Sequence, residues 1–215
     1  MRYAKFLACL LVFCLSRAAV GQEAVDITAL YREHCALCHG ETRFGGIGPA
    51  LLPENLERLR KTEAMKVIRE GRAATQMPAF ADKFGAAETQ RLADWIYQPV
   101  TPAPAWGEAE IRTSQVVDRR AAQMPAFPGP GLQGADPLNL FVVVEAGDHH
   151  VSVLDGDKFE RLYRFPSRYA LHGGPKFSPD GRFVYFASRD GWISKFDLYH
   201  LVVVAEIRAG LNTRN

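Results

Sequence analysis

The chain has 215 residues, room for one large or two small domains. Its 26 Lys and Arg against 24 Asp and Glu leave a net charge of +2, and no basic stripe marks a nucleic-acid binder. After residue 21 no stretch is apolar for the ~20 residues that a membrane-crossing helix needs.

Residues 1–21 have the order of an export signal. Arg2 and Lys5 give a positive start, Phe6 to Leu15 is a short apolar run, and Ala19-Val20-Gly21 offers small residues for cleavage. An uncleaved anchor is the alternative, and Arg17 directly after the run speaks against it. Cys9 and Cys14 would leave with the signal, so the mature chain keeps only Cys35 and Cys38. Phe13 is too bulky for a lipoprotein cleavage site. Export predicts a periplasmic protein.

Cys35-Ala36-Leu37-Cys38-His39 is a C-x-x-C-H run, the attachment signature of c-type haem. The spacing lets two sulfurs reach two vinyl groups, and the next residue falls under the metal. A redox dithiol does not need the histidine. A zinc site would need a second Cys/His pair at similar spacing, and the chain has none. Haem use of both cysteines leaves no disulfide.

Around this motif the pattern predicts helices. Asp26 or Thr28 caps one in which Ile27, Leu30, Tyr31 and Cys35 share a face. Gly45-Gly46-Ile47-Gly48-Pro49 reads as a loop, Thr62 to Glu70 as a helix ended by Gly71, and Ala86 to Gln98 as a helix stopped by Pro99. Each apolar face by itself is ordinary core. Residues 22–100 are thus expected to form an all-α domain.

Over about residues 25–98 the chain resembles the class I c-type cytochromes. In that family a Met-Pro just before the last helix gives the sixth iron ligand, which implies Met77, with His39 on the other side. A thioether ligand favours ferrous iron and raises the potential, which suits an electron carrier. Gln76-Met77-Pro78-Ala79-Phe80 recurs as Gln123-Met124-Pro125-Ala126-Phe127, so Met124 is a rival. It lies beyond the last helix, in a Pro-rich stretch read as a linker over 101–137. His34 is too close to His39 to reach the opposite face and reads as a surface residue.

From residue 138 the chain repeats itself at an offset of 42: Phe141 and Phe183, Val142 and Val184, Asp148 and Asp190, Ser152 and Ser194, Asp155 and Asp197. Short apolar β-rich runs at 139–145, 150–154, 158–164, 183–188, 192–197 and 201–207 alternate with turn residues such as Ser178-Pro179-Asp180-Gly181. A period of ~40–45 is that of a β-propeller blade, with a generic sandwich as the alternative. An antiparallel blade with its inner strand over 170–178 puts His172 at the central mouth. It puts Arg189 and Asp190 on the turn at the same end, with Asp148 and His149 on the equivalent earlier turn. Arg214 takes the equivalent inner position of the next blade, and His200 falls at the far end as a surface residue. A histidine and two arginines at one mouth suit a metal-centred tetrapyrrole with carboxylates. The bland alternative for His172 is a rim residue bonded to a turn.

A c-type domain followed by Tyr169-Ala170-Leu171-His172 and Phe177-Ser178-Pro179-Asp180-Gly181-Arg182 is similar to the cytochrome cd1 family. Leu140 to Arg214 most resembles its dihydro-haem d1 dehydrogenase branch. The resemblance implies an α + β multidomain chain: a class I cytochrome c domain, then the first blades of an eight-bladed β-propeller over 138–215. It implies His172 on the d1 iron and Arg189, Arg214 and Lys176 on the d1 carboxylates. The activity implied is oxidation of a dihydro-haem d1 propionate to an acrylate, with a redox partner protein taking electrons from haem c. Nitrite reduction at haem d1 is the alternative. Nitrite reductases carry an arginine where this chain has Glu145-Ala146-Gly147-Asp148, a departure that weakens that reading. Because the chain stops at Asn215, the expectation is a truncated propeller, and a mono-haem electron carrier without enzymatic activity is the third reading.

Overall fold

The structure is a computed structural model and describes residues 26–123, 132 and 134–212. The leader, Met124 and Arg214 lie outside the described residues.

Among the described residues, short helices come first: α1 (Ile27–His34), α2 (Ala36–His39), α3 (Pro53–Leu56), α4 (Lys61–Glu70), α5 (Ala86–Ile96) and α6 (Glu108–Thr113). Asp26 caps α1, accepting from the Thr28 and Ala29 amides at 2.9 and 3.3 Å. Gly71 ends α4 at φ +73°, a conformation that costs glycine little. The Glu88 carboxylate accepts from the Gly85 amide at 2.8 Å to start α5. Tyr31, Leu56, Ile68, Phe80, Phe84, Leu92 and Ile96 close one apolar core. His34 is not a surface residue: its ring meets the Phe84 ring edge-on at 5.2 Å. Its side chain is 21% exposed, because the Phe84 ring covers part of it.

Strands follow: β1 (Val116–Val117), β2 (Leu140–Glu145), β3 (His150–Asp155), β4 (Arg161–Pro166), β5 (Leu171–Phe177), β6 (Phe183–Ser188), β7 (Trp192–Asp197) and β8 (Val202–Arg208). They form two antiparallel sheets, β2-β3-β4 and β1-β8-β7-β6-β5. The repeat is structural, since β3 and β7 lie at the offset the sequence gives. The recurring aspartates cap the turns after these two strands. Asp155 accepts from the Asp157 and Lys158 amides, and Asp197 from those of Tyr199 and His200. The sheets share a core in which Phe165 stacks on Phe196 at 4.4 Å. Such stacked rings add about 0.5–1.5 kcal/mol beyond area burial.

His200 departs from its expected surface position. Its side chain is 3% exposed, and its Nδ1 lies 2.9 Å from Asp197, which also accepts from Arg182 at 2.7 Å. A buried aspartate recruits both groups, because an unpaired charge there would be costly. The Pro-rich stretch carries α6 and β1, and β1 pairs with β8. Pairing by so short a segment depends on the open β8 edge, which the linker composition does not reveal. Among the described residues, no helix is long and apolar enough to cross a membrane.

Candidate functional site

Cys35 breaks α1 from α2, and the amides of Cys38 and His39 both bond back to its carbonyl, at 3.1 and 2.9 Å. One helical turn therefore carries both sulfurs on one side, with His39 next in line. Cys35 and Cys38 are not joined to each other as a disulfide, and burial, with Cys38 beside it, pushes the Cys35 thiol up to about 11 before any attachment. His39 is 8% exposed. Its Nδ1 lies 2.8 Å from the Pro49 carbonyl, an acceptor only, so that nitrogen carries the proton and Nε2 remains free for a metal. Burial lowers the His39 pKa and keeps the imidazole neutral, as ligation requires. Gly48 makes the loop fit: a Cβ there would stand 3.0 Å from His39 Cε1. These features suit a covalently held iron porphyrin.

Met77 is partly buried against the helical core. It closes a small loop, in which its carbonyl accepts from the Arg72 amide at 3.1 Å and its amide donates to Thr75 Oγ1 at 3.2 Å. Among the described residues, no three His, Cys, Asp or Glu side chains gather as a site for a bare metal ion.

In the sheet half, His172 lies on β5 opposite Ala187, and its Nδ1 is buried with no hydrogen-bond partner among the described residues. Gly173 and Gly174 follow at φ +82° and +71°, where the pairing of β5 with β6 is irregular. Such an irregularity re-aims side chains, and an orphaned buried nitrogen suits a residue that meets a bound group. Arg189 is exposed, and its amide donates to the Ala170 carbonyl at 3.2 Å, so the β6–β7 turn does reach the start of β5. Lys176 is exposed farther along β5, beyond the irregularity.

Between the two halves lies a cavity of about 290 Å³. Gly45, Gly46 and Ile47 form one wall; His149, Tyr169, Arg168, Asp190, Trp192 and Arg208 form the other. Arg168 lies 3.8 Å over the Trp192 ring and grips both oxygens of Glu206. Arg208, 8% exposed, donates to the Asp190 carbonyl at 2.8 Å and to the Phe44 carbonyl across the cleft. Burial lowers the Arg208 pKa and raises that of the Asp190 carboxyl. The sequence reading missed Arg168 and Arg208. One signal was available, since the end of an outer strand lies at the same end of a blade as the inner strand's start.

The fold and the C-x-x-C-H turn define a c-type cytochrome joined to a sheet domain. A model of cytochrome c oxidase, cbb3-type, subunit III matches residues 22–96, and a cytochrome D1 heme domain model matches residues 135–215. The chain is 30% identical to cytochrome c55X of Pseudomonas aeruginosa over 45% of its own length and 86% of that protein's. It is 60% identical to the dihydro-heme d1 dehydrogenase of Pseudomonas aeruginosa over 87% of its length and 37% of that protein's. The solved structure of dihydro-heme d1 dehydrogenase NirN in complex with DHE matches with a TM-score of 0.76 and 60% identity, over 87% of this chain and 40% of that one. The chain thus joins a c-type cytochrome domain to a cytochrome D1 heme domain, and it spans well under half the length of this dehydrogenase.

Proposed function

We propose that the protein is an exported, periplasmic oxidoreductase that converts dihydro-haem d1 to haem d1. The observation that carries this is the 60% identity to a dihydro-heme d1 dehydrogenase, which runs through both halves. In this reading Cys35 and Cys38 would hold haem c covalently, and His39 and Met77 would ligate its iron. The two sheets are neighbouring blades of an eight-bladed propeller. His172 binds the d1 iron, and Arg189, Arg214 and Lys176 meet the d1 carboxylates.

The substrate's propionate side chain loses two hydrogens, as two protons and two electrons, and its carbon–carbon single bond becomes the double bond of an acrylate. Haem c, held by these residues, would supply a one-electron acceptor between the substrate and a redox partner protein. His39 is suited to its role by the fixed tautomer, and His172 by its orphaned nitrogen. Glu145 and Asp148, at the turn where a nitrite reductase would carry arginine, both pair with Arg164.

The test is anaerobic mixing of the full-length protein with dihydro-haem d1. The expected result is reduction of haem c together with a product two hydrogens lighter. Nitrite turnover without dehydrogenation would transfer the reading to nitrite reduction; failure to take up d1 would leave an electron carrier. His172→Ala should abolish d1 uptake and leave the haem c spectrum unchanged; retained uptake would reject His172 as ligand.

A further inference from the structure

The methionine loop of the helical half rests on a turn of the sheet half. Gln76 Nε2 donates to the Asp148 carbonyl at 3.2 Å. Beside it, the Ala74 carbonyl lies so close to Gly147 that a Cβ there would stand 3.0 Å from it. Ala74 is the tip of the loop and holds φ +56°, unusual for a residue with a side chain. The loop is short and bonded across itself: Thr75 donates to the Arg72 carbonyl and to it alone among the loop's backbone acceptors through both its amide and its hydroxyl, and Arg72 and Thr75 in turn hold Met77. Behind Met77 stands Gly71, where a Cβ would lie 2.8 Å from the Met77 carbonyl. A push at Ala74 therefore meets a closed loop with the α4 terminus directly behind it.

We infer that the β2–β3 turn at Gly147–Asp148 is a positioning element for Met77, bracing the methionine loop so that the sheet half sets the strength of the sulfur–iron bond in the helical half. The inference rests on the reading of Met77 as an iron ligand. A side chain at Gly147 would press on the Ala74 carbonyl, which would have to give by a few tenths of an ångström. Thioether ligation favours ferrous iron, so a weakened bond lowers the haem c potential.

The experiment uses the haem-loaded full-length protein and three variants: Gly147→Ala, Gly147→Val and Gln76→Ala. The last removes one exposed hydrogen bond and so tests the brace without the risk of misfolding that a larger residue at 147 carries. The readouts are the sulfur-to-iron charge-transfer band of the ferric protein, the midpoint potential and the rate at which added imidazole displaces the methionine. The expected result is a weaker band and lower potential at Gly147→Val than at Gly147→Ala, with displacement several-fold faster in all three. A wild-type band with all three variants unmoved would overturn the brace alone. A wild type without the band would overturn Met77 as ligand, and the brace with it.

Discussion

The helical and sheet halves solve one problem in opposite ways. In the helical half, one turn of chain brings Cys35, Cys38 and His39 together, and a local loop orients the imidazole through Pro49. In the sheet half, the cavity-lining Arg168, Asp190, Trp192 and Arg208 come from an inter-strand connection, a turn, a strand start and a strand end. Local geometry makes the first site, and strand pairing makes the second. The lesson is that the first should survive damage to the second, while the second depends on every strand that frames it.

Removing the haem anchor tests the first half of that comparison most severely. Cys38→Ala should prevent stable double covalent attachment, and the helical half, cored around Tyr31 and Leu92, should lose its cooperative melt. A denaturing gel stained for haem, with circular dichroism of helix and sheet, would check it; retained helical melting would mean the half folds without its cofactor. Phe196→Ala strikes the second half. Phe196 is fully buried against Phe165, so the change should cost about 3–5 kcal/mol. The sheet signal should melt earlier in denaturant while the haem c spectrum holds. Loss of both together would show that the halves fold as one unit.

Arg208→Gln addresses the seam between them. It strips hydrogen bonds from the Phe44 and Asp190 carbonyls, for about 1–3 kcal/mol, and should speed proteolysis at the cleft without moving either core. The smallest effect concerns acid. The Arg164 guanidinium and the Ser152 hydroxyl hold the Glu145 carboxyl at about 2, below its usual 4.5. The unfolded chain therefore takes up that proton first as the pH falls. The contribution of this pair to stability is present above pH 4.5 and is lost between 4.5 and about 2. Glu145→Gln should flatten that part of the sheet's stability curve; an unchanged slope would remove the pair from the account.

Much of this was legible in the chain itself. The α4 and α5 periods, the loop at 45–49 and β3 and β7 at the repeat offset all appear where the patterns put them, because each rests on neighbours a few residues apart. His34 and His200 were misjudged for one reason. Each is polar and lies near an element end, and only packing decided that Phe84 would cover one and Asp197 would bury the other. The linker reading of 101–137 failed to foresee β1 because two valines form a strand only when an edge such as β8 is offered.

The sequence by itself determined a haem-attachment turn, a helical domain around it and a repeated blade pattern after it, since covalent spacing and side-chain periodicity are short-range properties. Only the tertiary structure decided that Gln76 and Ala74 meet Gly147 and Asp148, and that Arg208 reaches Phe44 across a cleft. Those contacts join residues far apart in the chain, and their geometry follows from how two folded surfaces come to rest on each other.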